Sequence, residues 1–307
     1  MSALQTQSKI TKFIQLCMKY TEKCVYFLNS RRYYEAIESG KKAIALYPGS
    51  LFAHVCLGMS YYNIGMFDLA LEEFKIAEDL SFYSNNPEFY LGVIYNSIGM
   101  VYFQERDLDK AIFYYNKALN LTEKQNDLQL KTLILGNIAL VHAERKDFKK
   151  ALDYYKKALK LAKTEEERAN VYSGMALVYK NKKDYEKALD YFKKAIETAK
   201  SCGNHHLLAK NIISLGEFYR EIKDYALSEK YLFEGLRKIQ NIGDKFWEAS
   251  AYEYIGLLYI DQGDKALGKD YLIKALNLFK SIGIEKDAQD ILDFLNKDFK
   301  ELHSDKK

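Results

Sequence analysis

The sequence predicts an all-α protein built from stacked pairs of antiparallel helices. An internal repeat is the first sign: DFKKALDYYKKAL, residues 147–159, recurs as DYEKALDYFKKAI at residues 184–196 with nine of thirteen positions identical, and a looser copy begins at Asp107. Repetition at this spacing indicates that one structural unit is stacked several times. The whole chain has only two prolines, which leaves long helices uninterrupted.

Small residues recur in columns that mark the two helices of each predicted pair. Each predicted pair contains a first small residue, a second small residue twelve positions later and a third seven positions after that. A large residue usually stands three positions before the third small residue. Two antiparallel helices approach closely only where a small side chain faces the neighbouring backbone, and the large residue fills the space beside it. The first column, with an aromatic residue three positions later, is clearest at Gly58 and Tyr61, Gly99 and Tyr102, Ala176 and Tyr179, Gly216 and Tyr219, and Gly256 and Tyr259.

The pattern L/I-G-x-x-Y followed by A-x-x-x-F/Y-x-x-A resembles the tetratricopeptide repeat. It covers about residues 17–282 as seven repeats, most of them about 40 residues long. These longer units are similar to the repeats of Pins-type adaptors, kinesin light chains and bacterial peptide-receptor regulators. The resemblance implies a right-handed superhelical solenoid of about seven helix pairs, and fold alone carries no function.

Helix boundaries follow from capping residues along the chain. Ser50, Asn86 before Pro87, and Thr164 with Glu167 are expected to begin first helices. The second helix of a pair is expected to begin at Asp107, Asp147, Asp184, Asp224 and Asp264. Glycines are expected to end second helices at Gly203, Gly243 and Gly283.

We expect a single solenoid domain over residues 1–307. Residues 8–16 extend the first helix backwards, the repeats occupy about 17–282, and a capping helix follows at 285–302. That last helix carries an apolar stripe, Ala288, Ile291, Leu292, Leu295, Phe299 and Leu302, opposite a polar face.

Charge and composition argue against several classes of function. The net charge of +4 comes from 46 basic and 42 acidic residues, and it alternates along the chain without a continuous basic stripe, so nucleic acid is not an expected ligand. Neither a signal peptide nor an apolar run long enough to span a bilayer is recognisable, which predicts a cytoplasmic protein without a membrane partner. The four cysteines, Cys17, Cys24, Cys56 and Cys202, show no framework spacing and are expected to be reduced, buried thiols.

Motifs for catalysis or cofactor binding are absent from the sequence: it contains no nucleotide-binding glycine loop, no nucleophile elbow and no H-E-x-x-H. The segment from Cys202 to His206 is the nearest approach to a metal site, but it falls at a repeat junction and lacks four suitably spaced ligands. We therefore expect no cofactor, no metal and no enzymatic activity.

The resemblance implies that the first helices line an inner groove in which a partner binds. Apolar and amide residues dominate this predicted groove through the fifth repeat, and charged residues dominate afterwards. Methionine adapts to varied side chains, and amides can hydrogen-bond a peptide backbone. The candidate partner-binding residues are Met59, Tyr62, Asn63, Asn96, Met100, Phe103, Gln104, Asn137, Leu140, Asn170 and Asn181. Met100 and Leu140 suit core packing equally well, whereas Asn96 and Asn137 favour the groove, since a buried amide needs partners.

These features predict a non-catalytic adaptor that binds a protein or peptide partner. Val25, Val93 and Ser97 stand where a carboxylate clamp of the chaperone-binding type needs an asparagine and basic residues, so that binding mode is not expected. Two alternatives remain open: a peptide-sensing regulator that inhibits a signalling protein, and a self-assembling homo-oligomeric scaffold.

Overall fold

The computed structural model describes the backbone of residues 3–298 and the side chains of residues 11–122 and 126–297. Within residues 3–298 every regular element is an α-helix, so the predicted all-α solenoid fold is confirmed. The fifteen helices of this part of the chain are α1 (Ala3–Asn29), α2 (Tyr33–Leu46), α3 (Leu51–Asn63), α4 (Phe67–Ser81), α5 (Pro87–Gln104), α6 (Leu108–Gln125), α7 (Leu128–Glu144), α8 (Phe148–Leu161), α9 (Glu165–Asn181), α10 (Tyr185–Ser201), α11 (His205–Glu221), α12 (Tyr225–Ile242), α13 (Lys245–Asp261), α14 (Lys265–Ser281) and α15 (Glu285–Asp298).

The contacts group into two compact units, Met1–Val141 and His142–Lys307. In the first unit, α1 packs on α2, α3 on α4, and α5 on α6, and the odd-numbered helices α1, α3 and α5 also contact one another in order. In the second unit, α9 packs on α10, α11 on α12, and α13 on α14, with α9, α11 and α13 in the same lateral order. Each unit is therefore a stack of helix hairpins.

Capping residues start the helices where the sequence predicts. Ser50, Asn86 and Asn204 accept hydrogen bonds from backbone amides of the first turns of α3, α5 and α11, and Thr164 forms a complete capping box with Glu167. Each of the five predicted aspartates accepts a hydrogen bond from the backbone amide three residues later. These bonds satisfy amides that have no partner within the helix.

The turn inside each hairpin contains one residue in the left-handed region. Gly65 and Gly263 hold this position in two repeats, as expected of glycine. Basic residues hold it in the other five: Arg31, Arg106, Lys146, Lys183 and Lys223, with φ between 55° and 65°.

Large residues fill the gaps left by the small columns. A Cβ atom placed on Gly58 would lie 2.7 Å from the ring of Phe74, and one on Gly99 would lie 2.7 Å from the ring of Tyr115. Phe74 is fully buried and Tyr115 is 2% exposed. The predicted small-against-large packing of the two helices is confirmed, and it leaves no room for a side chain at either glycine.

Aromatic rings stack between the two helices of several hairpins. Tyr102 stacks on Tyr114 at a centroid distance of 5.4 Å, and Tyr179 stacks on Tyr191 at 5.3 Å. The same arrangement joins Tyr219 to Tyr231, Tyr259 to Tyr271, and His142 to Tyr154. The high tyrosine content thus has a structural use within the hairpins.

Helix α15 packs on α14 and buries Ala288, Ile291 and Leu295. Leu292 is half-buried, while Phe299 and Leu302 of the predicted stripe lie outside the described residues. The predicted backward extension of the first helix is present in α1, where Phe13 is 53% exposed and Ile14 is 41% exposed.

Candidate binding surface on the first helices

The candidate surface is the side of the odd-numbered helices that faces away from their even-numbered partners, here called the first-helix face. In the first unit the face comprises parts of α1, α3, α5 and α7 as far as Val141, and in the second unit it comprises parts of α9, α11 and α13.

An open apolar groove lies between α1 and α3 in the first unit. Its volume is about 560 Å³. Met18 and Val25 of α1 face Phe52 and Val55 of α3, and Met59 lies at the far end. Met59 is a predicted partner-binding residue, and the repeat pattern also predicts Phe52 and Val55 on the inner face. Sequence reasoning missed Met18 and Val25. Met18 precedes Cys24 by the same number of positions as Phe52 precedes Gly58, and Val25 directly follows Cys24 as Met59 follows Gly58, so the repeat register could have found both.

A disulfide bond joins the two walls of this groove. Cys24 of α1 is bonded to Cys56 of α3, and their Cα atoms lie 6.4 Å apart, within the range that a disulfide requires. Both residues are buried, and Cys56 contributes to the groove lining. The prediction of four reduced thiols is therefore wrong for this pair, because the side-by-side packing of α1 and α3 brings together cysteines 32 residues apart. Cys17 is a buried free thiol, as predicted, whereas Cys202 is free but exposed, so its predicted burial is wrong.

Tyr62 and Gln104 meet on the first-helix face of the first unit. The Gln104 amide donates a hydrogen bond to the Tyr62 hydroxyl at 3.3 Å, which links α3 to α5. Burial raises the pKa of the Tyr62 hydroxyl, and the bond from Gln104 offsets part of that rise. Gln104 is exposed and Phe103 beside it is half-buried, so both present surface to solvent.

Asn96 and Asn137 form a second cross-helix pair, between α5 and α7. The Asn137 amide donates to Oδ1 of Asn96 at 2.9 Å, and the Asn96 amide points to the Met100 sulfur at 3.7 Å. Asn96 is 5% exposed. The buried amide of Asn96 thus has the partner that it needs, and the neighbouring repeat supplies it. Met100, Asn137 and Leu140 are half-buried.

The remaining predicted amides are separated from these pairs or occupied within their own helix. Asn63 donates to the Met59 carbonyl at 2.7 Å, and Asn170 donates to the Glu166 carbonyl at 3.1 Å. Asn170 and Asn181 are exposed and belong to the second unit. Of the predicted residues in the first unit, the structure brings together Tyr62 with Gln104 and Asn96 with Asn137.

Charged side chains pair across the first-helix face of the second unit. Lys180 of α9 lies 2.9 Å from Glu217 and 3.1 Å from Glu221 of α11, and Arg220 lies 2.7 Å from Asp261 of α13. Burial lowers the pKa of Lys180, but the two glutamates outweigh burial and leave that pKa raised. This network joins two cationic side chains to three carboxylates, so the second unit offers a more charged surface than the first.

A half-buried glutamate lies near this network. Burial, together with the nearby carboxylates of Asp287 and Asp290, raises the pKa of Glu253 to about 7, and Arg220 opposes the rise. Among the residues described here, no group of three or more histidine, cysteine, aspartate or glutamate side chains could hold a metal ion. His206 instead pairs with Asp244 at 2.6 Å. Across the described helices, none has the length and apolarity needed to cross a membrane.

Comparison with known families identifies the repeat. Models described as "Tetratricopeptide repeat" match residues 90–164, 167–237 and 249–281, which together make up more than half of the chain. The protein therefore belongs to the tetratricopeptide repeat family. No curated protein matches the sequence at a significant level.

Solved structures share the fold at low sequence identity. The Rap conjugation gene regulator of the plasmid pLS20, solved in complex with a peptide, matches with a TM-score of 0.66 and 19% identity over 88% of this chain and 75% of that chain. Aspartyl phosphate phosphatase F from Bacillus subtilis matches with a TM-score of 0.68 and 15% identity, covering 91% of this chain and 74% of its own. A Rap protein complexed with Competence and Sporulation Factor matches with a TM-score of 0.60 and 16% identity over 94% of this chain and 98% of that chain. At these identities the likeness describes the fold.

Proposed function

We propose that this protein is a non-catalytic adaptor that binds a segment of a partner protein along its first-helix face. The observation that carries the proposal is the open apolar groove between α1 and α3, with one charged residue in its lining, together with the amide contacts between neighbouring first helices of the same unit. Soluble proteins rarely leave large apolar surface uncovered unless it binds something. Tetratricopeptide hairpins provide a rigid scaffold on which such a surface is held in place.

The similar Rap regulator that was solved in complex with the Phr* peptide supports the same class of ligand by analogy of fold. It also keeps the peptide-sensing regulator as a second candidate function. In that case peptide binding would change the affinity for a second protein, whereas a simple adaptor binds its one partner independently.

The test begins with capture of partners by the full-length chain, followed by titration calorimetry of each purified partner. Phe103→Ala removes a ring from the first-helix face, and Phe113→Ala removes an exposed ring from α6. We expect Phe103→Ala to weaken binding about tenfold or more and Phe113→Ala to leave it unchanged. Equal affinity of both variants and the original protein would overturn the proposal.

We place the protein in the cytoplasm, as its sequence predicts, and the Cys24–Cys56 bond makes that placement testable. Disulfides are uncommon in cytosolic proteins of mesophiles, where thiol systems keep cysteines reduced. Cells should be quenched with a thiol-alkylating reagent before lysis, and peptides containing both cysteines should then be analysed by mass spectrometry. Recovery of these peptides in the cytosolic fraction would support the placement, while recovery in a secreted or periplasmic fraction would refute it.

A further inference from the structure

We propose that the groove between α1 and α3 binds an apolar, carboxylate-free segment of the partner that carries a lysine or arginine, and that Glu22 meets this basic side chain. The inference rests on the proposed function and gives the ligand a chemical class. It concerns one groove of the first unit, and therefore it can fail while the adaptor proposal stands.

The apolar preference follows from the exposed walls of the groove. Phe52 is 59% exposed, Met18 58% and Val25 44%, although all three are large apolar side chains that would gain from removal from water. Leu28 and Val55 continue the lining between them. An apolar segment of the partner would cover all of these side chains at once.

The groove is fixed in shape before a ligand arrives. The Cys24–Cys56 bond ties its two walls together below the lining, and Cys24 is fully buried. Phe52 is further positioned by an edge-on contact with Tyr90, with ring centroids 5.4 Å apart. Because the walls are already ordered, binding loses little conformational freedom, which favours affinity.

The charge preference follows from the single carboxylate in the lining. Glu22 is exposed at the groove, and no lysine or arginine lines it. The one histidine of α3, His54, is buried and pairs with Glu73 instead. An acidic segment would find no cation in this groove and would face Glu22, whereas a basic side chain next to the apolar residues would pair with it.

Selection from a displayed library of random peptides tests the inference on the full-length protein. Peptides of about ten residues, roughly 33 Å when extended, are long enough to cross the groove. We expect the selected sequences to be rich in leucine, isoleucine, phenylalanine and methionine, to contain lysine or arginine, and to lack aspartate and glutamate. A consensus rich in acidic residues overturns the inference, and so does the recovery of no peptide above an uncoated surface.

Matched variants then locate the binding of the synthesised peptides, measured by fluorescence anisotropy. Phe52→Ala should weaken binding about tenfold or more, and Phe113→Ala, which truncates a ring that is 56% exposed on α6, should not. Val25→Ser provides a second groove variant if Phe52→Ala fails to fold, as judged by its circular-dichroism melting curve.

Glu22→Gln should weaken binding about two- to fivefold at low salt and abolish most of its salt dependence, because an exposed ion pair is screened. Glu72→Gln, at an exposed glutamate of α4, is the control and should leave binding unchanged. Peptides that ignore the groove variants but are lost when Phe103 is replaced would overturn this inference and leave the adaptor proposal in place. A dimer detected by light scattering that Phe52→Ala dissociates would make a second copy the occupant and would also overturn it.

Discussion

Asn137 donates its side-chain amide to Oδ1 of Asn96, and this bond of 2.9 Å joins the first helices of two successive repeats. Asn96 is almost fully buried, whereas Asn137 keeps part of its surface exposed. The pair therefore has a structural use inside the first unit, and a bound peptide could reach only the remaining hydrogen-bonding capacity of Asn137.

Asn137→Ala is expected to lower the free energy of unfolding by about 1–3 kcal/mol, because it leaves the Asn96 oxygen without its partner. Urea unfolding followed by circular dichroism measures this change. The double variant Asn96→Ala with Asn137→Ala should cost less than the sum of the single changes, since both remove the same bond. Asn181→Ala, at an exposed amide of α9, is the control. Additive costs in the double variant would contradict a direct coupling of the two side chains.

His54 is expected to make the stability of the protein depend on pH. Its ring contacts Glu73 through Nδ1 at 2.6 Å and the Pro48 carbonyl through Nε2 at 2.9 Å, so that the protonated ring, with two donors, satisfies both acceptors. Burial disfavours the charged ring, but these two bonds outweigh burial and raise the pKa of His54 above its ordinary 6.5. The added stability is present below about pH 6.5 and is lost as pH rises through the folded-state pKa.

Chemical denaturation between mildly acidic and mildly alkaline pH tests this linkage. His54→Gln should remove the loss of stability on the alkaline side, at about 1.4 kcal/mol for each unit by which the pKa is raised. His142 provides a control with the opposite pH dependence, because burial lowers its pKa. Its contribution to the free energy of unfolding is present at high pH and is lost as pH falls. If His54→Gln keeps the full alkaline slope of the original protein, another group causes it.

Met66→Asp is expected to stabilise the protein by about 0.5–2 kcal/mol. Met66 occupies the N-cap of α4 with φ −81° and ψ 68° and makes no side-chain capping bond. Asp107 has nearly the same backbone, φ −81° and ψ 76°, and caps α6 through the Lys110 amide. An aspartate at position 66 can therefore accept from the backbone amide of Leu69. Met66→Ala is the control for loss of the methionine, and a midpoint of urea unfolding that is the same for both variants would show that the new cap does not form.

Helix boundaries could be predicted from the sequence because caps and small columns act within one hairpin. The five capping aspartates and the packing of Gly58 on Phe74 each depend on residues close in the chain or at a fixed offset. The left-handed basic residues of the turns, such as Lys183, could not be predicted in this way, since lysine has no preference for that conformation.

Relations between repeats were harder to predict. Cys24 and Cys56, and likewise Asn96 and Asn137, meet only because neighbouring first helices lie side by side in a particular register. The repeat pattern indicates that the helices are neighbours but leaves undetermined which side chains face one another across the interface. The site residues predicted from the family pattern consequently included a buried amide, Asn96, and omitted two apolar side chains of the α1 wall, Met18 and Val25.

Asn211 is a polar exception at a position of the first helices that is buried and apolar in the neighbouring repeats, and we expect its replacement by an apolar residue to stabilise the protein. It lies in α11, five residues before Gly216, where the other repeats place residues such as Val171 and Ala251. Asn211 is 1% exposed, and among the described residues no hydrogen-bond acceptor reaches its Nδ2 atom. A buried amide donor without a partner costs about 1–3 kcal/mol.

Asn211→Val should therefore raise the free energy of unfolding by about 1–3 kcal/mol, because valine has a similar volume and needs no hydrogen bond. The urea concentration at the midpoint of unfolding should rise, while the slope of the free energy of unfolding against urea concentration stays the same. That combination indicates a change in stability alone. Asn211→Ala is the control, since it removes the same amide but leaves a small cavity and should gain less. A loss of stability in Asn211→Val would show that the amide is satisfied by a bound water or ligand, and that this position is maintained for binding rather than for packing.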